Sequence, residues 1–253
     1  MIMRWVILAL IVASPVANAE DEAQRIAFSE GRYHEAVLLS ASEPSADNLA
    51  FSARSLLAEA ISEPSYTPPS RLLDEAEAKA RRAISLEPNH IEGRLQLAIA
   101  LSLKARPLSN REAMRTGYGT EAKELAEAAL RDDPDNTYAH GFLAVWHLEV
   151  RRRGGTIGGS VMGASINKAR DHYEAAIRSA PGDASIHWQF ARALTALNAK
   201  RYRDEIAMSL NAALDCTAET QLEDVMQRRA KTLRTELETK NWKRAENTAA
   251  RML

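Results

Sequence analysis

Four histidines and one glutamate in the second half of the chain are of residue types that bind metal ions or transfer protons. His140 and His147 are two helical turns apart, Glu149 follows closely, and His172 and His187 fall in the next helices. Imidazole is the commonest metal ligand in proteins and a frequent general acid or base. The chain nevertheless lacks a His-Glu-x-x-His motif and any cysteine and histidine spacing typical of zinc sites. We therefore predict no metal, no cofactor and no enzyme, and interpret these histidines as residues that pack one helix on the next.

A second chemical feature is residues 151–160, where three arginines precede a glycine-rich stretch. The arginines are Arg151, Arg152 and Arg153, and seven of the chain's eleven glycines lie in this stretch, just after it at Gly163, or in an insertion just upstream. Glycines let main-chain N–H groups approach a ligand closely, and guanidinium groups bind carboxylates or phosphates. The stretch is not a phosphate-binding loop, because it has no lysine and no strand precedes it.

Three further arginines, Arg106, Arg111 and Arg115, lie in the preceding insertion. All six guanidinium groups are expected along one edge, where they suit a carboxylate, a phosphate or an acidic peptide. The alternative is that these arginines stay in water or pair with neighbouring carboxylates. Those carboxylates are Glu112, Glu121 and Glu149.

These residues are positioned by a helical unit that occurs three times. Each copy has three residues spaced by four and then three positions, followed five positions later by a proline. The copies are Ala76, Ala80, Ala83 and Pro88; Ala122, Ala126, Ala129 and Pro134; and Ala169, Tyr173, Ala176 and Pro181. Proline ends a helix, because it has no N–H to donate and its ring clashes with the preceding turn. A unit repeated in this way predicts a helical array in which each unit packs on its neighbours.

Each of these B helices follows an A helix that carries a small residue where the two helices cross. The small residues are Ala53, Ala98, Ala144 and Ala191. This arrangement resembles the tetratricopeptide repeat, with Tyr173 as the only aromatic residue at its B-helix position. The fold class we predict is all-α, a right-handed α-α superhelix with long loops inside the repeats. Four helix pairs are expected in residues 46–218, between a degenerate helix pair at 20–45 and a capping helix with a tail at 219–253.

The spacing between units is longer than in an ordinary repeat. A helices are expected to start near residues 46, 91, 137 and 184, which is 45 to 47 residues apart, against about 34 in the tetratricopeptide repeat. The surplus falls between the A and B helices of the first three units, in residues 62–69, 104–120 and 151–165. All three insertions should emerge from one edge of the array.

The segment Trp146-His147-Leu148-Glu149, the glycine-rich stretch and the expanded repeat give a more specific resemblance. Together with a secretory signal, they are similar to the regulator-of-microtubule-dynamics group and to periplasmic tetratricopeptide subunits linked to solute transporters. Both resemblances imply a helical scaffold and leave its ligand open.

The inner face of the array, lined by A helices, is the second candidate binding surface, since such repeats receive peptide segments there. Its centre is apolar with arginine at the rim. The residues expected to bind are Leu95, Ile99, Tyr138, Val145, Leu148, Trp188 and Arg192. A hydrophobic peptide, an amphipathic helix or a lipid-like molecule would suit this face. The alternative is that inserted loops cover it and that these residues form core.

The first nineteen residues have the pattern of a cleaved signal peptide. Arg4 supplies the positive start, residues 5–12 the apolar run, and Ala17-Asn18-Ala19 the small-residue site, so cleavage is expected after Ala19. The run is too short to span a membrane, and we predict a mature chain in the periplasm with no transmembrane segment. With 33 basic and 34 acidic residues, the chain is not expected to bind nucleic acid.

The sequence therefore favours a non-enzymatic exported scaffold that binds a protein or peptide through the inner face and the arginine-rich edge. The alternative is a periplasmic carrier for a small hydrophobic or anionic solute, associated with a transporter. In that case the inserted segments would cover the inner face and enclose the ligand.

Overall fold

The computed structural model describes residues 19–41 and 45–253, and within them the protein is all-α. The predicted signal peptide lies outside these residues, except for Ala19 at the start of the first helix. The helices are α1 (Ala19–Ser29), α2 (Tyr33–Leu39), α3 (Ala46–Ser62), α4 (Ser70–Leu86), α5 (Ile91–Ala105), α6 (Asn110–Thr116), α7 (Tyr118–Asp132), α8 (Thr137–Val161), α9 (Ile166–Ser179), α10 (Ala184–Asn198), α11 (Arg203–Asp215), α12 (Gln221–Glu238) and α13 (Trp242–Arg251).

The helices pack as antiparallel pairs, and alanines form the contacts between them. The pairs that correspond to the predicted units are α3/α4, α5/α7, α8/α9 and α10/α11. Ala53 of α3 and Ala76 of α4 are fully buried, as are Ala98 of α5 and Ala122 of α7. A methyl side chain lets two backbones approach closely, so the alanine spacing is what sets this packing. The predicted all-α array of tetratricopeptide type is confirmed.

Each proline closes the unit that it ends. The residues before Pro88, Pro134 and Pro181 have extended backbone, as a following proline requires. The proline carbonyl then accepts a hydrogen bond from a side chain in the first turn of the next A helix, six residues on. The donors are Arg94 Nη2 (2.7 Å), His140 Nε2 (2.9 Å) and His187 Nε2 (2.9 Å). These equivalent positions fix the turn between one unit and the next.

Two of the three insertions differ from the predicted loops, because they are largely helical. Residues 104–120 contain α6, which a capping box between Ser109 and Glu112 begins. Helix α8 continues through the glycine-rich stretch to Val161, with one break at Gly155, whose φ of 61° suits glycine. Gly159 is needed for a different reason, since a Cβ there would lie 2.5 Å from Cδ of Arg151. The inserted segments are therefore ordered helical additions to the repeat.

The last two helices close the array. Helix α12 packs against α10 and α11, the last helix pair of the array, and it also contacts α1 and α3, which are among the first helices. Helix α13 packs against α10 and α12. Ala245, Ala249, Met252 and Leu253 are buried there, so the residues expected as a tail form a docked helix and the end of the chain that follows it. None of the helices in the described residues is long and apolar enough to cross a membrane.

Candidate partner-binding surfaces

The C-terminal segment, residues 242–253, lies against the A helices where a bound peptide was expected. Trp188 of α10 is fully buried, and its Nε1 donates to the main-chain oxygen of Leu253 at 3.1 Å. Arg192, one turn along α10 and 2% exposed, donates to the oxygen of Ala249 at 3.4 Å. Both residues were predicted to bind a partner, and in this structure they bind the protein's own chain.

A buried ionic network lies beside this contact. Glu149 accepts hydrogen bonds from Arg192 Nη1 at 3.0 Å and from Arg152 Nε at 2.8 Å. Burial opposes ionisation of this carboxyl group, but the charges of Arg192, Arg152 and Arg106 outweigh it and lower the pKa of Glu149 to about 2. Glu149 is therefore an anion at neutral pH, and it holds two helices together through Arg192.

Arg106 and Arg229 also bind the C-terminal segment, through hydrogen bonds to its main-chain oxygens. Arg106 Nη2 donates to the oxygens of Ala250 and Met252, both at 2.8 Å, and Arg229 Nη1 donates to Leu253 at 2.9 Å. Burial and the neighbouring arginine charges lower the pKa of Arg106 to about 9. The prediction that Arg106 stands on the outer edge is wrong, because its side chain points under the C-terminal segment.

The remaining residues predicted for the inner face do not share one surface. Leu95 is buried between α5, α7 and α8, and Leu148 is buried in the cluster around α10. Ile99 and Val145 are half-buried against neighbouring clusters. Tyr138 is 51% exposed. The alternative interpretation, that these residues form core, therefore holds for Leu95, Leu148 and Trp188.

The three consecutive arginines have three different environments. Arg151 crosses Gly159 and donates to the oxygen of Thr156 at 3.2 Å. Arg152 pairs with Glu149, as the alternative interpretation of these residues expected. Arg153 donates to the main-chain oxygens of Ala105, at 2.9 Å, and Leu108. Arg153 and its neighbours thus tie the two helical insertions together.

The inserted edge, residues 104–120 and 151–165, exposes three large apolar side chains. Met114, Ile157 and Val161 are 77%, 81% and 75% exposed. The two halves of the edge are joined by a hydrogen bond from Asn110 Nδ2 to the oxygen of Arg153. Trp146 Nε1, earlier in α8, donates to the oxygen of Gly119 in the first half.

Two exposed arginines, Arg111 and Arg115, flank Met114 in sequence on the first half of the edge. The edge therefore carries both apolar and basic exposed side chains. The sequence analysis anticipated its arginines but not its apolar residues.

Three histidines form a stacked cluster between α8 and α9. His140 Nδ1 lies 2.8 Å from His172 Nδ1, and the rings of His147 and His172 stack with centroids 5.6 Å apart. His140 Nε2 donates to Pro134, so its Nδ1 accepts from His172 when both are neutral. Burial lowers the pKa of His147 to about 4, and it also lowers the pKa of His172, with the charge of His140 adding to the effect. Among the described residues, no three His, Cys, Asp or Glu side chains are arranged to hold a metal ion.

This architecture defines the class of the protein. It is a closed array of antiparallel helix pairs of tetratricopeptide type, with helical insertions on one edge. The model of the family "Regulator of microtubule dynamics protein 1-3" matches residues 37–238, and the chain belongs to that family. The resemblance to the regulator-of-microtubule-dynamics group is confirmed, whereas the resemblance to periplasmic transporter subunits stays a prediction. A comparison with curated proteins found no significant match.

Of the residues that hold the C-terminal segment in place, Trp188 and Arg192 were candidates from the sequence, although for binding a partner. Arg229 and Met252 were not among the candidates, and Arg106 was assigned to the wrong surface. One signal was present, because Ala245, Ala249 and Met252 follow the spacing of a helix face that packs on another helix. That spacing shows which side of α13 is buried, but it does not show where α13 docks.

Proposed function

We propose that the protein is a non-enzymatic scaffold that binds a protein partner through the inserted edge. The observation that carries this proposal is the exposure of Met114, Ile157 and Val161 on the segments that lengthen the repeat. Large apolar side chains exposed on inserted segments that also carry basic residues are typical of contact sites.

The chemistry of the edge defines the kind of partner. Apolar contacts would form around Ile157 and Val161, and the unpaired guanidinium groups of Arg111 and Arg115 favour acidic residues near them. A partner segment with apolar side chains next to carboxylates would be complementary. The inner face is less suited to this role, because Met252 and Leu253 already fill part of it.

We also propose that the protein acts in the periplasm. The support is the pattern of the first nineteen residues, with Arg4, an apolar run and the small-residue site before position 20. Edman sequencing of protein recovered from the periplasmic fraction should begin at Glu20. Recovery of intact chain from the cytoplasm would overturn this part of the proposal.

The solute carrier makes a different prediction for the purified protein. A carrier encloses its ligand, so native mass spectrometry of protein purified from its own host would show an added mass of a few hundred daltons. A scaffold of the kind proposed here gives the mass of the bare chain. The burial of Met252 and Leu253 against the inner face supports the scaffold.

The proposal is tested with a photo-crosslinking amino acid placed in the living cell at Ile157 or, as a matched control, at Met208. Met208 is equally exposed but lies on α11, away from the insertions. We expect a discrete crosslinked protein from position 157 that is absent from position 208 and is lost when Arg111 and Arg115 are both replaced by Glu. Equal products from both positions, or none from 157, would overturn it.

A further inference from the structure

The C-terminal end of α13 is held by donors from three other helices. A helix ends with carbonyl groups that have no partner within it, and these carry a partial negative charge. Here the donors are mainly cationic. They are Arg192 to Ala249 (3.4 Å), Arg106 to Ala250 and Met252 (2.8 Å each), and Arg229 and Trp188 to Leu253 (2.9 and 3.1 Å). Together they form a receptor for the end of a helix.

The receptor is built by the rest of the protein. Trp188, Arg192 and Arg229 are no more than 5% exposed, and Arg229 is also fixed by hydrogen bonds to the oxygens of Ile61 and Glu63. Among the described residues, the side chain of Arg106 donates hydrogen bonds only to main-chain oxygens of the C-terminal segment. If α13 leaves, these donors lose their acceptors, and an unpaired buried donor is costly. An occupant of the same chemistry would restore the contacts.

The side chains of the segment give the footprint that such an occupant must match. Ala245 and Ala249, one turn apart, pack against neighbouring helices and are fully buried. Met252 and Leu253 then fill two separate apolar clusters, one around α10 and one formed by α3 and α5.

The segment is joined to the receptor by a short connection. Lys240 has a φ of 57° and its N–H donates to the oxygen of Leu237 at 3.0 Å, a left-handed conformation that ends α12. Asn241 begins α13 by accepting a hydrogen bond from the N–H of Arg244. Helix α13 therefore has its own cap and is separated from α12 by a few residues only.

We propose that α13 is a detachable internal ligand, and that the receptor it leaves binds the C-terminal end of a helix from another protein. That helix carries two small residues one turn apart, followed by two large apolar residues. The receptor includes none of the exposed edge residues Met114, Ile157 and Val161. Its one residue from the inserted segments, Arg106, binds the C-terminal segment, so the two proposals succeed or fail independently. While α13 is bound, this second surface is closed to partners.

Detachment is tested on the full chain by hydrogen exchange under native conditions. We expect the amides of α13 to exchange through an opening at least tenfold more frequent than that of α10, while α10 and α12 stay protected. Equal protection of α13 and α10 would mean that α13 opens only when the whole protein unfolds, and it would overturn the proposal.

Binding is tested with a fluorescent peptide of residues 241–253 and a full chain that carries a protease site in place of residues 239–240. After cleavage, the labelled peptide should replace the severed segment at one site per chain. A peptide with Asp at the positions of Met252 and Leu253 should not bind, and the Arg106→Ala receptor should bind at least tenfold more weakly. Unchanged binding by either variant, or no exchange in a cleaved protein that stays folded, would contradict the proposal. If cleavage unfolds the chain, the hydrogen-exchange result decides.

Discussion

Arg106 Nη2 donates hydrogen bonds of 2.8 Å to the main-chain oxygens of both Ala250 and Met252. The contact joins the end of α5 to the last turn of α13 and converts a row of helix pairs into a closed array. It also determines which surfaces are open to partners. Part of the inner face is taken by the protein's own chain, and Met114, Ile157 and Val161 of the inserted edge remain exposed.

The first prediction concerns the burial of the C-terminal segment. Replacing Met252 by Ala should lower the free energy of unfolding by about 2 to 4 kcal/mol, because it leaves a cavity beside α10. The same replacement by Ala at the adjacent Arg251, which is exposed, should change the free energy of unfolding by less than about 0.5 kcal/mol. Urea denaturation of the two variants measures both values. Equal effects would show that the segment is not docked in solution.

The second prediction concerns the buried carboxylate. Glu149→Gln removes the anion that neutralises Arg192 and Arg152, and it should cost about 2 to 4 kcal/mol of unfolding free energy at pH 7. The control is Glu87→Gln, at an exposed position after α4, which should be nearly neutral. Thermal and urea denaturation measure both values. Equal free energies of unfolding for the two variants would contradict the account.

The third prediction concerns pH. The pKa of His147 is about 4 in the folded protein, against about 6.5 in an unfolded chain. As the pH falls, His147 is therefore protonated in the unfolded state before it is protonated in the folded state. Its contribution to the free energy of unfolding is complete above pH 6.5, declines toward pH 4 and is constant below it. The stability of the wild type relative to His147→Leu should fall by about 3 kcal/mol across that range. A pH-independent difference between the two proteins would refute the assignment.

The fourth prediction compares neighbouring glycines in α8. A Cβ at Gly159 would meet the side chain of Arg151 at 2.5 Å, whereas a Cβ at Gly158 would meet nothing within 4 Å. Gly158→Ala should stabilise the protein by up to about 1 kcal/mol through helix propensity. Gly159→Ala should not give this gain, because the Arg151 side chain would have to move and lose its hydrogen bond to Thr156. The reverse order in melting temperature would be inconsistent with a helical insertion.

The features that followed from the sequence are those determined by local spacing. The alanine and proline pattern is complete within each unit, and the A helices begin at Ala46, Ile91, Thr137 and Ala184, where that pattern places them. The path of α13 depends on contacts such as that of Arg106 with Met252, which are far apart in sequence and have no local signal.

The glycine-rich stretch was interpreted as a loop because glycine disfavours helices. Tertiary contacts reversed that preference, since Arg151 packs across Gly159 and Arg153 binds the neighbouring insertion. His140 and His187 were expected at contacts between helices, and each also binds a proline carbonyl six residues earlier. That bond depends on the shape of the turn, which spacing alone does not determine.

The central claim is that a protein partner binds the inserted edge. The most direct test is the dissociation constant of the crosslinked partner, measured by titration calorimetry with wild type, Ile157→Asp and Met208→Asp. Loss of one central apolar contact costs about 1.4 kcal/mol or more, so Ile157→Asp should weaken binding at least tenfold. Met208→Asp should stay within twofold of the wild type. Equal affinities for all three proteins, or a loss confined to Met208→Asp, would contradict the account.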